Sequence, residues 1–301
     1  LILIMLESTN NIMINEEYFP TLYKLYNEGI AFTNHYSPRN NCSTGNNEFS
    51  ALTSLYTINN VCSANVYKNN TYFTSLFHLF ENAGYQTSSY HNYTEHYYYR
   101  STIHKNLGTT YYGVEDLGIP YSNAYREWPS DVALVEESYK RFATDEPFMA
   151  FLTTVTTHQP YGVSSTYGDK YLSRFKDLDV SMSVKRYLSK MTELDLALER
   201  LLELLEEDGK LEDTVIVMFG DHYPYGIKTE ELQKMFDYDL EVNKEIERTP
   251  FVIYNSEISA EKRDSYTTYI NILPTIANLF GLEYDSRLYM GEDLFSEDYS
   301  N

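Results

Sequence analysis

Two apolar runs organise this chain. Residues 1–6 end on Glu7-Ser8, and residues 214–220 end on Asp221-His222. Short unbroken runs of strand-forming residues read as parallel strands buried on both faces. Between the two runs the pattern alternates. Leu22, Leu25 and Tyr26 predict a helix over 19–29 that Gly29 stops, and 30–34 reads as a short strand. Helical character resumes over 46–55 and again over 74–83, where Gly84 closes it. A strand over 85–90, a helix over 131–142 and a strand over 147–154 follow. The longest helix is predicted over 183–207, with Tyr187, Met191, Leu194, Leu198 and Leu201 on its apolar stripe and Glu199, Glu203 and Glu206 facing solvent. After His222 the pattern is mixed: a polar helix over 229–236, a strand over 249–254 and a helix over 269–280.

This alternation places the chain in the α/β class, as a three-layer α/β/α sandwich with a mainly parallel central sheet. Residues 1–225 read as its core. Residues 226–301 read as a small C-terminal α+β part that completes the same domain, the alternative being a small appended layer.

Composition narrows the function. A 43% hydrophobic content in 301 residues supports a sizeable core. The formal charge of -21, from 23 Lys+Arg against 44 Asp+Glu, argues against a nucleic-acid binder, which needs a concentrated basic surface. It also disfavours a broad electrostatic grip on anionic lipid, while leaving room for a local basic pocket. The 31 tyrosines suit carbohydrate or headgroup platforms, although most such rings serve as ordinary half-buried residues. No apolar stretch reaches 18 residues, so the chain as given is expected to be soluble. Its first residue already lies in a strand pattern, and a longer parent chain is expected. Cys42 and Cys62 fit either two free thiols or one disulfide, whose loop of about 20 residues would add roughly 3 kcal/mol in the chain-entropy model.

Ligands gather at the carboxyl ends of strands in open α/β sheets. Glu7, Asp221 and His222 stand at two such ends and offer donors for a divalent metal. The plainer alternative makes Asp221 a helix cap and His222 a loop residue. Thr44 lies in a polar turn, 40–46, just before a helical segment, where free backbone N–H groups meet an anion. Alternatively, Ser43 or Thr44 is only an N-cap, with Glu48 near the capping-box position. His158 lies just past the strand over 147–154, in the segment 151–160 at its carboxyl end. His91, Tyr98 and Arg100 lie within a short segment rich in His, Tyr and Arg that reads as a phosphate- and polyol-gripping loop, with a surface ion pair as the alternative for Arg100.

These residues together resemble a known family. The carriers are Met5 to Ser8, Ser43 to Phe49 with Ser54-Leu55-Tyr56, His91 with Arg100, Thr157 to Pro160, Phe219 to His222, and the tail segments 272–281 and 290–295. Over nearly its whole length the chain resembles the extracellular catalytic domain of lipoteichoic acid synthase-type phosphoglycerol transferases, in the alkaline phosphatase and sulfatase superfamily. The resemblance implies one divalent metal, Mn2+ first with Mg2+ or Zn2+ as alternatives, held by Glu7, Thr44, Asp221 and His222. It makes Thr44 the nucleophile that takes phosphoglycerol from a phosphatidylglycerol-type lipid and releases diacylglycerol. A glycerophosphate or glycolipid acceptor then displaces the enzyme. His158 would bind the phosphate or protonate the leaving oxygen, and His91, Tyr98 and Arg100 would hold the phosphoglycerol.

The same resemblance implies a membrane-anchored parent with its catalytic part outside the cell, a monomer, and a Cys42–Cys62 disulfide bracing the nucleophile loop. Two positions depart from the family pattern: Asn46 where an acidic residue is more frequent, and Tyr98 where Trp is frequent. Neighbouring activities remain in view. A phosphoethanolamine transferase or phosphodiesterase would use the same parts. A formylglycine sulfatase needs a Cys/Ser-x-Pro-x-Arg turn, which is missing after Cys42. A two-metal phosphatase needs more ligands, and no His follows His222. An inactive glycan- or lipid-binding module is the alternative from another class.

Overall fold

The computed structural model describes every residue except Asn40, Asn59, Asn60, Asn123, Ser300 and Asn301, so Asn40 of the polar turn lies outside the described residues. Among the described residues, eight strands form a single sheet: β1 (Ile2–Leu6), β2 (Ile30–His35), β3 (Gln86–His91), β4 (Thr110–Tyr112), β5 (Phe148–Thr153), β6 (Ile216–Gly220), β7 (Phe251–Tyr254) and β8 (Glu261–Thr267). Their order is β4-β3-β5-β1-β6-β7-β2-β8. β1 is central, with β5 and β6 parallel on either side. Only β7 runs against its neighbours, β6 and β2.

Burial explains why the first run is apolar throughout. Ile2, Ile4 and Leu6 enter one core, while Leu1, Leu3 and Met5 enter the other. Helices Pro20–Glu28, Asp131–Phe142 and Met182–Glu207 cover the first face through residues such as Leu22, Leu134 and Leu194. Helices Ser43–Thr53, Leu76–Asn82, Arg100–Asn106 and Ile272–Leu279 cover the second through Leu52, Phe77, Ile103 and Leu273. The result is the three-layer α/β/α sandwich.

Residues after His222 are woven into this sheet, because β7 lies between β6 and β2, and β8 forms an edge. Two strands were not foreseen from the pattern. β4 has three residues, and β8 is largely exposed and polar, so neither carries an apolar signature. On Met182–Glu207, Asp195 accepts hydrogen bonds from the backbone N–H groups of Leu22, at 2.7 Å, and Thr21. A carboxylate at the start of Pro20–Glu28 complements that helix's dipole, which gives Asp195 a packing role.

Because β1, β3, β5 and β6 run parallel, their carboxyl ends share one edge of the sheet. The register pairs Leu6 with Gly220, so Glu7 and Asp221 emerge side by side. Gly220 is required here: a Cβ would lie 2.1 Å from the carbonyl oxygen of Thr9.

Candidate active site

Glu7, Asp221 and His222 are all buried, and one ligand atom from each lies within 4.8 Å of the others. His222 Nε2 is 3.2 Å from Asp221 Oδ2, 3.6 Å from Glu7 Oε1 and 3.1 Å from Thr44 Oγ1. The His222 Nδ1–H donates to the Tyr223 carbonyl at 2.9 Å, which turns the Nε2 lone pair toward the cluster. Asp221 Oδ1 accepts from the Ser8 N–H at 2.7 Å, and the Ser8 hydroxyl donates to Glu7 Oε1 at 2.7 Å. Asp221 Oδ2 is buried and accepts no hydrogen bond. A buried carboxylate oxygen left without a donor beside an imidazole lone pair fits a cation.

The electrostatics agree. Burial pushes Asp221 up to about 7, with the negative charge of Glu7 adding to it. For His222, burial opposes the imidazolium, but Asp221 and Glu7 outweigh it and raise its pKa. A dication among these groups would take over the neutralising role of that proton. Among the described residues, this is the one group of three or more His, Cys, Asp and Glu side chains so arranged.

Thr44 sits in the first turn of helix Ser43–Thr53. The capping alternative does not hold: the N-cap residue is Cys42, and no side chain caps the helix there. Thr44 Oγ1 instead faces His222. Cys42 is joined to Cys62 in a disulfide, with Cα atoms 5.1 Å apart. Gly45 admits Tyr98 closely, since a Cβ would lie 3.0 Å from both Tyr98 Cδ1 and Cys42 Sγ.

Glu48 is no capping-box residue either. It is buried and accepts from Arg100 Nη2 at 2.6 Å, Arg100 Nε at 3.0 Å and His104 Nε2 at 2.7 Å. Arg100 therefore forms no surface ion pair, and it opens helix Arg100–Asn106 rather than lying in a loop. Its fork is filled by Glu48, its guanidinium lies 5.3 Å from the Tyr98 ring centroid, and Nη1 alone is buried without a partner. Tyr98 and Tyr99 both adopt left-handed backbone, at φ 56° and 53°. Two adjacent bulky residues there hold strain of order 1–3 kcal/mol each, a mark of functional sites.

His91 and His158 share the tautomer arrangement of His222. His91 Nδ1 is 2.8 Å from the Thr153 carbonyl, and His158 Nδ1 is 2.8 Å from the Gln159 carbonyl. Each donates through Nδ1–H and keeps a lone pair on Nε2. Burial drives both pKa values down, that of His158 to about 4, so both rings are neutral near pH 7. The His158 loop is tied to Glu7, whose N–H donates to Thr154 Oγ1 at 2.9 Å and whose carbonyl accepts from the Thr157 hydroxyl. Buried Asp131 accepts from the Val155 N–H at 2.9 Å and steadies the same loop.

Several site residues carried no signal in the pattern. Trp128 packs against His158 with centroids 4.5 Å apart, Lys190 donates to the His158 carbonyl at 2.6 Å, and Tyr225 lies 4.6 Å from His222. Being the sole Trp was the only hint for Trp128. Nothing distinguished His104 from a surface histidine.

The sequence matches the Sulfatase family over residues 1–282. The chain belongs to that family. Within it, the chain is 29% identical over 327 residues to the lipoteichoic acid synthase of Staphylococcus saprophyticus, covering 100% of this chain and 48% of that protein. It thus spans about half the length of the curated relatives that it matches from end to end. The fold is similar to that of a lipoteichoic acid synthase from Listeria monocytogenes, with a TM-score of 0.79 and 22% identity over 97% of this chain and 74% of that one. A Streptococcus pyogenes phosphoglycerol transferase in complex with sn-glycerol-1-phosphate gives a TM-score of 0.65 at 17% identity, over 93% and 74% of the two chains. The Cys/Ser-x-Pro-x-Arg turn is nevertheless missing here, and Cys42 is committed to a disulfide.

Proposed function

We propose that this chain is the catalytic part of a metal-dependent phosphoglycerol transferase. It would act at the outer face of a membrane on a phosphatidylglycerol-type lipid, through a covalent Thr44 intermediate. The observation that carries this reading is Thr44 Oγ1, 3.1 Å from His222 Nε2 at a helix N-terminus, beside the paired carboxylates of Glu7 and Asp221.

Glu7, Asp221, His222 and the Thr44 hydroxyl would hold one divalent cation, and carboxylates with a single imidazole suit Mn2+. When bound, the cation lowers the pKa of the hydroxyl and neutralises phosphoryl charge. Thr44 Oγ attacks phosphorus; the Oγ–P bond forms as the bond from phosphorus to the diacylglycerol oxygen breaks, and the threonine proton ends on that oxygen. An acceptor hydroxyl then attacks the same phosphorus and restores the Thr44 hydroxyl with its own proton. His158 suits the proton carrier, because its neutral ring keeps Nε2 as a base and becomes an acid only after taking a proton. His91 Nε2 would accept a hydrogen bond from a glycerol hydroxyl, and Arg100 would orient Tyr98.

Metal content and diacylglycerol release test the reading together. Thr44→Ala should abolish release from phosphatidylglycerol while the fold is retained, and Asp221→Asn should lose the bound metal. Undiminished release in the Thr44 variant would remove that residue from the reaction. A headgroup panel separates this reading from phosphoethanolamine transfer.

A further inference from the structure

Trp128, the sole tryptophan, is buried, and its indole Nε1–H donates to the Gln159 carbonyl at 2.7 Å. The same carbonyl oxygen accepts the His158 Nδ1–H at 2.8 Å. A buried indole N–H needs a partner, and any carbonyl within reach would satisfy it. Here the partner is the oxygen that fixes the tautomer of His158. The indole ring also packs on the imidazole, with centroids 4.5 Å apart and planes at 59°. One side chain therefore holds both the ring of His158 and the acceptor of its Nδ1 proton.

The mounting of Trp128 is itself rigid. The Tyr93 and Tyr125 rings meet its ring edge-on, at 5.2 Å and 6.0 Å. Residues after Trp128 are tied to the His158 loop. The Pro129 carbonyl accepts from the Thr156 hydroxyl at 2.6 Å, and Asp131 accepts from the Val155 N–H. Asn92, next to His91, donates to the Ser130 carbonyl and to Asp131, each at 2.9 Å. From the long helix Met182–Glu207, buried Lys190 donates to the His158 carbonyl at 2.6 Å. Consecutive carbonyls of the loop, 158 and 159, are thus held by Lys190 and Trp128 from two different segments. A carbonyl shared by two fixed donors has little freedom to turn, so Nδ1 keeps one acceptor and Nε2 keeps its lone pair.

We propose that Trp128 is a positioning residue for His158: its N–H fixes the Gln159 carbonyl, and that carbonyl holds the imidazole with Nε2 as proton acceptor. Lys190 secures the preceding carbonyl. This rests on the phosphoglycerol-transfer reading, in which His158 carries the proton, and adds a residue that acts only through His158.

Trp128→Phe keeps a ring against His158 and removes the N–H. Imidazole nitrogen NMR shifts, taken with diamagnetic Mg2+ present, read the tautomers directly. The His158 signal, among seven histidines, is assigned by its loss in His158→Gln. The unaltered protein should hold His158 as the Nδ1–H tautomer, and Trp128→Phe should show both tautomers. In diacylglycerol release from phosphatidylglycerol, Trp128→Phe should lower kcat roughly tenfold with KM kept within about twofold, as for one lost hydrogen bond felt in the chemical step. Added to His158→Gln, the same change should cost nothing further in residual turnover, because the two residues act as one unit. An unchanged His158 tautomer in Trp128→Phe, or an equal loss of kcat with and without His158, would overturn the assignment. Hydrogen exchange in the unaltered protein needs no variant to fold. The indole N–H should exchange slowly, and exchange at the rate of free indole would also overturn it. Absence of diacylglycerol release from the unaltered protein counts against the transfer reaction, whereas tautomer and exchange judge Trp128 by themselves.

Discussion

Arg100 and Glu48 lie 52 residues apart in sequence and meet through a two-nitrogen clasp, with Nη2 to Oε2 at 2.6 Å and Nε to Oε2 at 3.0 Å. Both are buried, and His104 completes the group by bridging Glu48 to the Ser89 hydroxyl. Glu48 stands one helical turn beyond Thr44, so the clasp fixes the helix that presents the proposed nucleophile. Removing one partner leaves the other charge buried and unpaired. Glu48→Gln should therefore destabilise by ~3–5 kcal/mol, far more than an exposed pair would cost. Urea unfolding of Glu48→Gln, Arg100→Met and the double variant checks this. The double variant should be more stable than the sum of the single losses implies, because no lone charge remains.

The same clasp sets an acid limit. Burial alone would raise the Glu48 carboxyl, but Arg100 and His104 overcome it and hold the pKa at about 2. A carboxylate depressed on folding stabilises the fold above its unfolded pKa near 4.5, and that contribution disappears as pH falls toward 2. Acid unfolding curves of the unaltered protein should show this loss, and Glu48→Gln should show less of it.

His35 gives a second pH dependence, at milder acidity and away from Glu7, Asp221 and His222. It ends β2, buried between Phe251 and Tyr269, with Nδ1 2.8 Å from Thr267 Oγ1 and Nε2 without a partner. Burial lowers its pKa from 6.5 to about 3. The unfolded chain thus binds the extra proton between those values, and stability present above pH 6.5 is lost as pH falls through the window. The decline should be shallower in His35→Phe when unfolding free energies at pH 7 and pH 5 are compared.

The disulfide ties the start of helix Ser43–Thr53 to Cys62 across a separation of 20 residues. Replacing both cysteines with serine should cost roughly 3 kcal/mol in denaturant unfolding. Turnover measured well below the unfolding midpoint should fall as well, since Cys42 is the residue from which Ser43–Thr53 begins.

Much of this fold was legible because its centre is buried on both faces. β1 and β6 announced themselves as unbroken apolar runs, and each ended on the residues that form the cluster. Edge elements were silent for the converse reason: β8 faces solvent along most of its length, and β4 is too short to show a period. At the candidate site, strand ends marked Glu7, Asp221 and His222, which the fold brings together, whereas the choice of Thr44 over a simple helix cap came from the family resemblance. Their surroundings were not legible, because Glu48, Arg100 and His104 reveal their roles only through contacts more than 50 residues apart. Arg100 was recognised as special and misread in its environment.

Thr44→Val replaces the hydroxyl with a methyl group of similar size. Its unfolding midpoint should stay close to that of the unaltered protein, while diacylglycerol release falls by roughly 10³-fold or more, as for loss of a nucleophile. A proportional loss of stability and activity would instead assign Thr44 a packing role.

The most direct measurement is the mass of the protein itself, taken after rapid acid quench of a reaction with phosphatidylglycerol and Mn2+. A phosphoglycerol adduct should appear, map by peptide fragmentation to Thr44, and be missing in Thr44→Val. An adduct on another residue, or full transfer by Thr44→Val, would contradict the covalent threonine mechanism.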